Sequence, residues 1–152
     1  MERTSMPAGP DALGLVYFAA TKFAGYTAYC RWAIQPRAAK VTTSIEQLPN
    51  AWKAGAWRTL IGLGIGTVVG FGFWRISSSD SGDSLANFLF FALLIPVRVF
   101  EWLFLLQTSY RSISFPSRSR NTLVAGGIVA SFSLDAAGII AAFVLPGGMW
   151  VC

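Results

Sequence analysis

The chain alternates long apolar runs with short polar stretches. Four runs, residues 11–34, 57–76, 85–108 and 122–146, each reach the ~20 residues that a helix needs to cross a bilayer. The pattern predicts an all-α fold: a single membrane domain over 1–152, built as a four-helix transmembrane bundle. Residues 77–84, SSSDSGDS, read as a polar turn, and 109–121 as a polar loop broken by Pro116. The longest connection, 35–56, holds Pro36 and Pro49, so one helix is not expected to run straight through it. Asn50 is placed to cap a helix leading into the second span, and Trp52 and Trp57 fit the headgroup level.

Composition agrees with a bilayer as solvent. Hydrophobic residues make up 54% and charged residues 12%, against about 25% charged in an ordinary soluble domain. The net charge of +5 does not point to nucleic acid, because the bases lie between apolar runs. Arg31, Arg37, Lys40, Lys53 and Arg58 flank the first connection and Arg111, Arg118 and Arg120 the third; the other side has Arg3 and Arg75 beside Asp80 and Asp83. Lysine and arginine mark cytoplasmic loops, so connections one and three should face the cytoplasm and both termini the non-cytoplasmic side. The basic rim can draw anionic lipids. A long first run without a cleavable signal, and no N-x-S/T site, fit a bacterial inner membrane.

The chain has no histidine, which removes the common zinc and haem ligands and imidazole acid–base chemistry. No metal site and no cofactor are expected. Cys30 and Cys152 fall at opposite membrane faces in this topology and should not pair. Asp80 and Asp83 supply too few ligands for tight calcium binding.

The candidate site lies inside the spans. Lys22, Arg98, Glu101 and Asp135 fall near mid-membrane depth, and their formal charges sum to zero. Arg98 and Glu101 share a helix face at i,i+3. An unpaired charge at the bilayer centre costs roughly 2.5–3.5 kcal/mol, so the four should pair or line a wet cavity. In the fourth span Gly127, Ser131, Asp135, Gly138 and Ala142 recur at helical spacing, a small-residue face where another helix comes close. Gly62, Gly66 and Gly70 form a similar stripe in the second. The Gly62-x-Gly64-x-Gly66 run is not a phosphate loop, since no strand precedes it and no P-loop lysine follows. Pro96, just before Arg98, frees the carbonyl of Ala92 and can open space beside the charges.

Three function classes follow. A non-catalytic subunit or assembly protein, in a homo-oligomer or a larger membrane complex, fits the glycine stripes, the small loops and the lack of cofactor ligands. In this class aromatic side chains such as Phe100 and Phe104 should seal the charge layer. An oligomeric proton- or ion-coupled channel or transporter fits the midplane charges. A membrane enzyme acting on a lipophilic substrate would use Glu101 or Asp135, or Tyr26 and Tyr29. In size, span number, outer termini and basic first loop, the layout is similar to that of the membrane-associated eicosanoid and glutathione proteins. Their polar second-span motif is absent, the span reading RTLIGLGIGTVVG, so the similarity assigns no residue.

Overall fold

A computed structural model describes residues 12–42, 48–77 and 84–142. The expectations for both termini, for Cys152 and for most of the SSSDSGDS turn lie outside the described residues. All regular structure among the described residues is helical: α1 Ala12–Tyr29, a π-helical turn Cys30–Ile34, α2 Gln35–Ala39, α3 Ala51–Ser77, α4 Ser84–Ser109 and α5 Ser117–Ala142.

The helix ends follow local chemistry. Asn50 caps α3: its Oδ1 accepts the Trp52 N–H at 3.0 Å and its carbonyl the Ala54 N–H at 3.1 Å. The helix therefore starts well before residue 57, the expected start of the second span. α5 also starts early, directly after Pro116, whose carbonyl accepts the Arg120 N–H at 2.9 Å. The polar third connection is correspondingly shorter than its composition suggested. No single helix runs through 35–56, as Pro36 and Pro49 led one to expect: α2 ends at Ala39 and α3 begins at Ala51, although the first helical path does pass Pro36. The Gln35 N–H donates to the Cys30 carbonyl, a π-type bond, and Pro36 then enters the first turn of α2. A proline is tolerated there because a first-turn N–H has no intrahelical partner to lose. The path so continues to Ala39.

The four long helices form a ring. α1 packs on α3 and α5, and α4 on the same two. Side-chain pairs fix the directions: Phe23 against Trp52, Arg58 against Glu101, Arg98 against Asp135, and Tyr29 against Leu123. Where two contacts join one pair of helices their order is reversed, Lys22 with Asp135 and Tyr29 with Leu123 between α1 and α5, Arg98 with Asp135 and Trp102 with Ser131 between α4 and α5, so these neighbours run antiparallel. The apolar core, with Tyr26, Ile34, Leu105, Tyr110 and Leu123, fills the end of the bundle nearest the α2–α3 and α4–α5 connections. The outer surface is also apolar: Val16 on α1, Leu60 on α3, Phe100 on α4 and Val129 on α5 are each 60–67% exposed.

Candidate functional site

Five charged side chains meet between the helices, one or more from each long helix. Lys22 Nζ of α1 lies 2.7 Å from Asp135 Oδ1 of α5. Asp135 Oδ2 accepts a hydrogen bond from Arg98 Nη2 of α4 at 3.0 Å. Arg98 Nη1 donates to Glu101 Oε2 at 3.0 Å, and Arg58 Nη2 of α3 donates to the same oxygen at 2.6 Å. All five residues are buried. The structure brings together Lys22, Arg98, Glu101 and Asp135, and it adds Arg58.

Arg58 corrects the sequence reading on two points. It is not part of a basic rim, because its side chain is fully buried. With it the layer holds Lys22, Arg58 and Arg98 against Glu101 and Asp135, a formal surplus of one positive charge among the described residues rather than zero. Aromatic rings take up part of that surplus. The Arg58 guanidinium carbon lies 4.7 Å from the Tyr26 ring centroid and 5.1 Å from that of Trp102. Lys22 Nζ lies 4.3 Å from the Phe18 ring. Ring faces attract cations, by about 2 kcal/mol when both are desolvated. The sequence carried a signal for Arg58: it continues the stripe of Gly62, Gly66 and Gly70 at four-residue steps and so shares a helix face with Gly62, which is buried.

The seal is also different from the one expected. Phe100 is 60% exposed and Phe104 36%, and they stack on each other outside the bundle. Trp102 and Tyr26 close the layer instead, in an edge-on contact at 5.8 Å. Trp102 Nε1 donates to Ser131 Oγ at 3.1 Å, and Ser131 Oγ donates to the Gly127 carbonyl at 2.9 Å.

The small residues act as seats for side chains more than as backbone contacts. A Cβ on Gly127 would sit 2.5 Å from the Trp102 ring. One on Gly62 would sit 3.0 Å from Arg58 Nη1, so that glycine leaves room for the guanidinium. Gly64 faces open space. Gly66 is half-buried, Gly138 is buried, and Gly70 lies farther along α3. The close backbone approach of α1 and α3 is at Gly55, where a Cβ would come within 2.9 Å of the Thr27 backbone. A lone glycine outside the stripe gave no sign of this.

No protein-family model, curated protein or solved structure matches the chain. The chemistry of the site therefore rests on its geometry. Each carboxylate grips two cations, and taking up a proton would weaken both contacts of each. Tyr29 of the enzyme reading donates to the Leu123 carbonyl at 2.7 Å and ties α1 to α5. Among the described residues no group of histidine, cysteine, aspartate or glutamate could hold a metal ion.

Proposed function

We propose that the chain is a multi-pass integral membrane protein, a four-helix transmembrane bundle that acts as a non-catalytic subunit or assembly partner in a bilayer. The observation that carries this reading is the inverted distribution of polarity. Both described acids and three bases are paired inside, while each long helix turns large apolar side chains outward. In water such a surface would be an aggregation hazard. In lipid it is the required one, since intramembrane charges must face the bundle interior. The stretch Ala92–Ser109, of mean hydropathy 1.3, is long and apolar enough to cross a membrane by itself. The other long helices carry Lys22, Arg58 and Asp135 on inward faces, where neighbouring helices replace lipid.

The same geometry weighs against a proton relay. The contacts run Lys22, Asp135, Arg98, Glu101, Arg58, so a proton crossing the layer would have to pass through Arg98. A guanidinium does not release its proton in proteins. The network reads better as a lock that joins all four helices in one register. A subunit of this kind belongs in a homo-oligomer or larger complex in a bacterial inner membrane, with Arg37, Lys40, Arg111, Arg118 and Arg120 on the cytoplasmic side.

Two measurements test the reading. The protein should stay with the membrane pellet through alkaline carbonate washing. Purified in mild detergent, it should carry the mass of additional chains, either copies of itself or partners. Release by carbonate, or a lone monomer in every mild detergent, would overturn it.

A further inference from the structure

A second polar cluster lies at the end of the bundle, outside the buried network. A cavity of about 250 Å³ opens where α4 turns into α5. Its wall includes Leu103, Gln107, Arg111, Ser114, Phe115 and Arg120. The two guanidiniums, the Gln107 amide and the Ser114 hydroxyl give the wall hydrogen-bonding groups, and Leu103 and Phe115 give it apolar surface.

Among the described residues this charge has no counter-ion: both described acids, Glu101 and Asp135, are held in the interior, and no carboxylate pairs with Arg111 or Arg120. The first turn of α5, which carries Arg120, has no acid. The helix N-terminus adds partial positive charge of its own.

Depth identifies what could supply the missing anion. Glu101 and Ser131 both reach Arg58 and so lie at one level of the bundle. At about 1.5 Å per residue, the end of α4 at Ser109 lies about 12 Å beyond Glu101, with Arg111 just past it, and Arg120 lies about 16 Å beyond Ser131 on the neighbouring helix. Half the hydrocarbon thickness of a bilayer is also about 15 Å. With the charge layer near the bilayer centre, both arginines reach the phosphate level, while Leu103 stays at acyl depth.

We propose that this cavity binds the phosphate of an anionic phospholipid, with Arg111 and Arg120 on the phosphate oxygens, Ser114 and Gln107 on the remaining acceptors, and the first acyl carbons against Leu103 and Phe115. The proposal rests on the membrane reading above. Arginine suits the task because its planar fork matches phosphate geometry.

The test uses the purified protein in mild detergent, titrated with dioctanoyl phosphatidic acid and followed by native mass spectrometry. Wild-type protein should take up one tight phosphatidate, and dioctanoyl phosphatidylcholine should bind on the order of tenfold more weakly. The Arg111→Ala/Arg120→Ala variant should lose affinity on the order of thirtyfold. Arg37→Ala removes one charge from another exposed position at the same end and should bind as wild type. If the double variant does not fold, Ser114→Phe, which fills the cavity and keeps both charges, should show the same loss. Unchanged binding in the folded double variant, or in Ser114→Phe, would overturn the proposal. So would equal binding of phosphatidylcholine, or displacement of the lipid by millimolar inorganic phosphate, which would make this a free-phosphate site. Loss of lipid selectivity in a protein that resists carbonate extraction would sink this site alone and leave the membrane reading standing.

Discussion

At the residue scale, two glycines in opposite surroundings should behave differently. Gly127 lies under the indole of Trp102, which is fully buried and bonded to Ser131, so the ring has nowhere to move. Gly127→Ala should cost about 1–3 kcal/mol, as overpacking of a filled core does. Gly64→Ala adds a methyl group to open space in a helix interior and should leave stability intact or raise it by up to about 1 kcal/mol. Thermal melts of both variants in one detergent check this, and equal losses would contradict the packing described. Tyr110 offers a pH test. Burial, and then the neighbouring Cys30 side chain, push its hydroxyl above the ordinary value of 10.0. The folded state thus keeps the proton that the unfolded chain releases near that value. Stability from this group is intact below about pH 10 and falls as the pH rises further. Tyr110→Phe should melt less steeply than wild type between pH 10 and 11 and show no such advantage at pH 7.

At the scale of the element, helix starts are set by caps more than by apolar content. Asn50 satisfies the Trp52 N–H of α3, and the register set there carries Arg58 two turns into the helix. Asn50→Ala should cost about 1 kcal/mol. Hydrogen exchange of the first turn of α3 should rise, while the exchange of α5 stays unchanged. The apolar pattern alone could not place this start, because a cap works through one side-chain oxygen and leaves no periodic trace. The π-type turn before Pro36 was hidden for a related reason. The Gln35-to-Cys30 bond widens the helix by one residue, and no composition signal distinguishes that from a break.

For the whole molecule, the network imposes a ranking. Glu101 and Asp135 each hold two cations, whereas Lys22 and Arg58 each meet one of these two carboxylates. Removing an acid raises the positive surplus among the described residues, and removing a base lowers it. Glu101→Gln and Asp135→Asn should therefore cost about 3–5 kcal/mol, the range for breaking a buried pair. Arg58→Met and Lys22→Met should cost less. Exchanging the charges of Lys22 and Asp135 should not rescue assembly, because the new lysine would face Arg98, which now donates to Asp135 at 3.0 Å. Unfolding in mixed micelles measures all five variants. If Arg58→Met were as damaging as Glu101→Gln, the surplus would not be a real energetic feature.

What the sequence by itself determined was the number, type and approximate extent of the long helices, and the inward direction of Lys22, Arg98, Glu101 and Asp135. Run length and helical spacing are local properties, and the cost of a lone charge in an apolar run holds whichever neighbour relieves it. Only the tertiary structure decided which groups meet. It drew Arg58 from the rim into the layer, gave Glu101 and Asp135 two partners each, and put Trp102 and Tyr26 in the place expected of Phe100 and Phe104. Those choices depend on how each helix is rotated against the next. That rotation is fixed by packing at single small residues such as Gly55 and Gly127, contacts between positions far apart in the chain that no local pattern records.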